Sequence, residues 1–218
     1  MNKYLIHHHL GIGDHIVCNA IVRKKYFDLK NIVLVVLKHN LDSVKSLYQD
    51  IDISFLPVSS DKEAEDNYKN YEVFRIGFEK CNIDNWEKSL YDQLNLDYSI
   101  RYKDFVLPRN FERENSLFKK INPPDKFAIC NVRSTKMLHN FPIQTSLPLI
   151  QMEFLTNNIF DWTLLIEKAS EIHMIDSAPF QLVKQLNLDT NKFFYDTRSL
   201  DSSRTRPTFN QDWKIITC

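Results

Sequence analysis

Short apolar runs recur along the chain, each followed by a polar break and then by apolar positions at helical spacing. In the first third, Lys3–Ile6, Asn31–Leu37, Ile51–Val58 and Val73–Ile76 read as strands. Asn31–Leu37 is a continuous β-branched run of the kind buried on both faces of a parallel sheet. Between these strands the spacing predicts a helix from about His15 to Phe27, a second over about Leu41–Gln49 with Asn40 as N-cap, and a short exposed helix within 61–70. Such alternation is the signature of a parallel sheet with crossover helices. From Phe78 to Phe105 the pattern turns helical and aromatic; Trp86, Leu90, Tyr91 and Leu94 read as core. Arg109–Lys120 is a charged amphipathic stretch, and Pro123-Pro124 breaks the chain.

A second alternation begins at Lys126. It reads as a strand at Phe127–Val132, a strand or helix at Leu147–Phe154, a helix at Asn158–Ala169, a strand at Glu171–Ile175, a helix at Ala178–Leu186 and a strand at Lys192–Tyr195. A terminal helix is expected over Phe209–Ile216. The boundary between the halves falls between about Phe105 and Pro124, giving domains 1–110 and 111–218.

Composition narrows the function classes. At 218 residues and 43% hydrophobic content the chain can build one large core or two small ones. The 28 basic and 28 acidic residues balance, so charge gives no reason to expect nucleic acid or an anionic membrane as partner. No apolar stretch approaches the roughly 20 residues of a membrane span. The histidines and Asp14 interrupt any signal-peptide core near the N-terminus. Cys18, Cys81, Cys130 and Cys218 are scattered with no C-x-x-C pair, which fits reduced thiols in a cytoplasmic protein.

Four groups of residues can carry chemistry. Two of the chain's 3 glycines, Gly11 and Gly13, stand one residue apart after the first strand. A glycine turn there serves close backbone approach or positive φ at the carboxyl edge of a sheet. Ile16 replaces the third glycine of the dinucleotide fingerprint, and no G-K-[ST] follows, so the motif is not a nucleotide loop in itself. Asp14 in this turn reads either as a carboxylate that takes a proton from a hydroxyl or as the cap of the next helix. Asp176-Ser177, between a strand and a helix, reads as a phosphate site at a helix start or again as a cap. Arg133, Ser134, Thr135 and Lys136 follow a strand, as a diphosphate-binding group or as a solvated basic loop; Arg204 and Arg206 form another basic loop. His7, His8, His9 and His15 are the fourth group. On an extended segment only His7 and His9 share a side, so polar contacts at a ligand cleft are expected rather than a tetrahedral metal site.

Taken together, Gly13-Asp14 in the first half and Asp176-Ser177 followed by Leu182 in the second resemble glycosyltransferases of the two-Rossmann-domain B type, in the heptosyltransferase-like branch. There a G-D loop opens a helix beside the acceptor, and a D-[ST]-G-x-x-H-L-A segment binds the donor's diphosphate. The chain is more similar still to short glycosyltransferase-like proteins of viral and marine microbial genomes. Their HH-x-G-[LI]-G-D-H-I-x-C-N-x-x-V-R opening appears almost complete from His8 to Arg23. Their I-E-x-A-x-E-I-H-x-I-D-S-S-F segment appears from Ile166 to Phe180 with one inserted residue. The donor segment departs from the pattern at Ala178 for glycine, Gln181 for histidine, and Pro179.

The resemblance implies a compact α/β protein of two Rossmann-like domains facing across a cleft, with an acceptor-side first domain and a nucleotide-sugar-binding second. It implies transfer of a sugar from a nucleotide-diphosphate sugar to a hydroxyl-bearing acceptor, without a metal and with inversion. The catalytic candidates are Asp14, His9 and His15; the donor-binding candidates are Gly11, Gly13, Arg133, Lys136, Asp176, Ser177, Ala178 and Gln181. The departures keep open a non-catalytic nucleotide- or glycan-binding protein of the same fold, and the histidines a metal-dependent hydrolase.

Overall fold

The computed structural model describes residues 3–134, 138–197 and 207–218. The chain divides into two compact units, Met1–Pro108 and Arg109–Cys218, each built on a parallel sheet.

In the first unit β1 (Tyr4–His7), β2 (Ile32–Leu37), β3 (Ser54–Val58) and β4 (Glu72–Arg75) lie in the order β3-β2-β1-β4, every pair parallel. α1 (Ile12–Val17) and α2 (Asn19–Leu29) cross from β1 to β2, and α3 (Leu41–Leu47) from β2 to β3. α4 (Asp61–Glu65) leads from β3 towards β4. Ile32 to Val36 are all buried, as a β-branched run between two neighbouring strands requires. α4 starts on a capped turn with Ser60 as N-cap. Ser60 Oγ accepts the Glu63 N–H at 3.3 Å, and Glu63 Oε2 accepts the Ser59 N–H at 2.7 Å. α5 (Trp86–Asp92) and α6 (Ile100–Lys103) complete the unit. Tyr91 on α5 donates to Val17 O at 2.6 Å, which ties this helix to the end of α1.

The second unit opens with α7 (Phe111–Ile121). β5 (Ala128–Asn131), β6 (Leu149–Gln151), β7 (Glu171–Met174), β8 (Asn191–Asp196) and β9 (Lys214–Thr217) lie in the order β6-β5-β7-β8-β9, again all parallel. α8 (Thr163–Lys168) precedes β7, and α9 (Ala178–Gln185) connects β7 to β8. Arg113 binds Asp161 with Nε at 2.9 Å and Nη2 at 2.7 Å, and Arg109 binds Glu114 and Glu167; these pairs fasten α7 to the segment around α8.

Three expected elements are corrected. The helix expected from His15 begins at Ile12 and breaks at Cys18, so Gly13 and Asp14 lie inside its first turn. Asn40 stands at the N-cap position of α3 as expected, but its side chain makes no capping bond; a 3-10 turn, Lys38–Asn40, runs into the helix, and the Asn40 amide donates to Leu10 O at 3.0 Å. The terminal helix expected over Phe209–Ile216 is instead an extended approach to β9. Phe209 and Trp213, spaced as if on a helix, both pack on Phe180 of α9, at 5.8 and 5.0 Å between centroids. Lys214–Thr217 then pairs with β8. The ambiguous Leu147–Phe154 segment resolves as the strand β6.

Candidate functional site

In both sheets the strand order reverses. The first unit places β2 on one side of β1 and β4 on the other; the second places β6 on one side of β5 and β7 on the other. The loops beyond the carboxyl ends at such a reversal part to either side, and ligands of open α/β sheets bind there.

At the first reversal His7 ends β1 opposite Arg75 at the end of β4. The next residues form the segment His8–Gly11 and enter α1. Gly11 is the N-cap, with ordinary extended φ −66° and ψ 148°. Of the two reasons expected for glycines here, positive φ is therefore set aside; among the described residues the glycine with positive φ is Gly77, at 93°. Gly11 serves close approach instead. A β-carbon on it would stand 2.6 Å from Asp14 Oδ2. The Asp14 carboxylate thus folds back over its own helix start, on the third helical position and not at the cap, where the positive end of the helix dipole favours a negative charge.

The four histidines separate into two sets, as strand alternation requires. His7 and His9 both pack on Phe78, at 5.0 and 4.7 Å between centroids, while His8 packs on His15 at 4.5 Å. His7 is buried with both nitrogens engaged, Nδ1 with Tyr68 Oη at 2.6 Å and Nε2 with Asp61 Oδ1 at 2.9 Å. His9 is half-buried and accepts the Phe78 N–H at Nε2, 3.2 Å away. His8 and His15 are sealed inside. His8 Nδ1 lies 2.6 Å from His9 O, but His8 Nε2 and both nitrogens of His15 have no hydrogen-bond partner among the described residues. Burial lowers all four pKa values, that of His8 to about 4 and that of His15 well below its usual value. No group of three or more His, Cys, Asp or Glu among the described residues is arranged to hold a metal ion.

At the second reversal β5 runs out at Asn131 beside Met174 of β7, and the chain continues through Ile175-Asp176-Ser177 into α9. Ser177 is the N-cap by backbone geometry, yet its hydroxyl does not cap. It donates to Ile175 O at 2.9 Å and accepts from Asn131 Nδ2 at 2.9 Å. Asn131 also donates to Arg133 O at 2.8 Å, so this one buried amide ties the loop after β5 to the start of α9. Arg133 is exposed, its guanidinium 5.2 Å from the ring centroid of Phe154. Asp176, Ser177 and Ala178 are part-exposed around the helix start, whereas Gln181, one turn on, is buried. Lys136, Thr135, Arg204 and Arg206 lie outside the described residues. A cavity of about 1070 Å³ lies at the opposite, amino-terminal edge of this sheet, between Asn187–Lys192 and Phe209–Ile215, away from the reversal.

The fold is similar to that of glycosyltransferases of known structure. TibC from enterotoxigenic E. coli, a bacterial iron-containing dodecameric glycosyltransferase, matches with a TM-score of 0.54 and 12% identity, over 97% of this chain and 63% of TibC. The glycosyl transferase family 9 protein from Veillonella parvula matches with a TM-score of 0.56 and 9% identity, over 100% of this chain and 88% of its own. The chain thus spans less than two thirds of TibC. No protein-family model matches the chain, and no curated protein matches it. At these identities the likeness is one of fold.

Several residues at the two reversals carry no sequence motif. Asn131 lies inside the strand expected at Phe127–Val132. Gly77, just past the strand expected at Val73–Ile76, provides the contact surface beneath His9. Gln93 secures that glycine by accepting its N–H at 2.8 Å. The signal for Gly77 was its rarity, as the one glycine remaining outside the Gly11–Gly13 turn.

Proposed function

We propose that the protein is a glycosyltransferase that moves a sugar from a nucleotide-diphosphate donor to a hydroxyl acceptor, without a metal and with inversion. The observation that carries the reading is the placement of candidate groups. On a fold shared with glycosyltransferases, the two strand-order reversals bear the Asp14 loop and the Asn131–Ser177 helix start. In this reading Asp14 takes the proton from the acceptor hydroxyl as its oxygen forms the bond to the anomeric carbon. The bond from that carbon to the diphosphate oxygen breaks in the same step. The charge on the departing diphosphate is met by the start of α9 at Asp176–Ala178 and by Arg133, with Lys136 assigned to the same role. Gly11 leaves room for the carboxylate. The protein is placed in the cytoplasm, with the nucleotide sugar and a glycan or small-molecule acceptor as its partners.

The test is a panel of nucleotide sugars and glycoside acceptors, read by release of nucleoside diphosphate. Asp14→Asn is expected to lower kcat by about 10²–10⁴-fold while donor binding persists. Full turnover in that variant would show that another group takes the proton.

The second reading is a nucleotide-binding protein that performs no transfer. It is favoured by Gln181, which stands in the histidine position of the donor segment and is buried. Nucleoside diphosphate that binds, with no transfer from any donor in the panel, would establish that reading.

A further inference from the structure

The imidazole of His9 is fixed at one nitrogen. Phe78 donates its backbone N–H to His9 Nε2 at 3.2 Å. A peptide N–H cannot accept, so Nε2 carries a lone pair and the proton of the neutral ring sits on Nδ1. The ring is held in that orientation from several sides. The Phe78 ring packs against it with planes 40° apart. Gly77 lies against its edge, where a β-carbon would fall 2.8 Å from Nε2 and 2.9 Å from Cδ2. Gly77 is itself held by Gln93, whose amide also donates to Lys80 O at 3.2 Å. Burial favours the uncharged ring; His7 and Arg75 act in the same direction, while Asp61 and Glu79 oppose it. The Nδ1–H has no partner among the described residues, and it is not one of the sealed, unbonded polar atoms of the interior. It is therefore an open, oriented donor beside the first strand-order reversal.

We infer that His9 is a ligand-binding residue, a fixed and uncharged Nδ1–H donor that grips a hydrogen-bond-accepting oxygen of the acceptor substrate. The inference rests on reading the first unit as the acceptor side, and it divides the work of the loop. His9 orients the acceptor and keeps its proton; Asp14 is left to take one. Such an oxygen occurs on a neutral sugar hydroxyl and on a phosphate alike.

Two-bond ¹H–¹⁵N spectra of the histidine-labelled full chain test this, with His9→Asn used to assign the signals. His9 is expected to show the Nδ1–H tautomer at about pH 7. The Nδ1 signal is then followed during titration with methyl β-D-glucopyranoside and, separately, with inorganic phosphate. Movement with the glycoside supports a hydroxyl ligand, and movement with phosphate supports an anionic one. An Nε2–H tautomer, a charged ring at about pH 7, or a signal that neither probe moves overturns the inference. Where transfer is measured, His9→Ala is expected to raise the acceptor KM about tenfold and leave the pH profile of kcat in place. A lost limb of that profile would make His9 a proton carrier and overturn the inference. Absence of transfer with every donor counts against the glycosyltransferase reading, while the tautomer and the titration still decide His9.

Discussion

Gly11 shows how a single side-chain choice shapes the candidate site. Its backbone angles suit any residue, so the glycine is not there for conformational freedom. It is there because Asp14 Oδ2 occupies the volume of the missing β-carbon. Gly11→Ala is expected to turn the carboxylate away from the helix start and lower turnover at least about tenfold. The stability cost should be small, about 1 kcal/mol for alanine at an N-cap. Kinetics and a denaturant titration on the same preparation check both halves. Wild-type turnover in this variant would mean that the position of the Asp14 carboxylate does not matter to the reaction. The sequence pointed to this glycine for its rarity and left two reasons open, positive φ and close approach, of which the second is realised. Positive φ is a property of one residue, whereas the close approach depends on how the side chain three positions on folds back.

At the scale of elements, strands were more legible than helices. A buried parallel strand declares itself by a short apolar run, and Asn31–Leu37 and Phe127–Val132 lie within one or two residues of β2 and β5. Helix starts depend on tertiary partners. Asn40 has the chemistry of a cap, but its amide bonds to Leu10 O, and the aromatic spacing of Phe209 and Trp213 imitates a helix because both rings meet Phe180. The aromatic stretch after Phe78 contains α5 and α6, only 7 and 4 residues long. Helices so short do not stand alone. They are held by Arg101 and Glu87, both sealed from solvent and bonded to each other, with Tyr98 Oη donating to Glu87 Oε2 at 2.9 Å. Glu87→Ala leaves the Arg101 charge buried without its partner and is expected to cost about 3–5 kcal/mol in denaturant unfolding. A loss below about 1 kcal/mol would show that solvent or another carboxylate reaches Arg101 in the variant.

For the whole molecule, the alternating pattern carried the α/β class and the parallel sheets, because both are consequences of repeated burial on two faces. Strand order did not follow from the pattern, since β4 and β7 reach their places by crossing other strands. The titratable groups are also unequally shared. In the first unit burial lowers the pKa of His7, His8, His9 and His15; in the second it lowers that of His173. A histidine whose folded pKa lies below its unfolded value of about 6.5 leaves the unfolded chain holding more protons in the interval between the two. Stability therefore rises with pH across that interval and falls as the solution is acidified from about 6.5. For His8 the interval extends down to about pH 4. Each histidine that stays neutral contributes a slope of about 1.4 kcal/mol per pH unit. The lowered carboxylates of the first unit, Asp50, Glu63, Glu79 and Asp97, act at lower pH, below their own unfolded values. Acidification from about pH 7 to about pH 5 is thus expected to loosen Met1–Pro108 before Arg109–Cys218. Hydrogen exchange corrected for the intrinsic pH dependence should show protection lost first in the peptides of β1 and α1. His15→Leu removes one buried imidazole with neither nitrogen bonded and should flatten the pH dependence of the first unit. Equal loss of protection in both units, or an unchanged pH slope in that variant, would refute the assignment of acid sensitivity to the buried histidines.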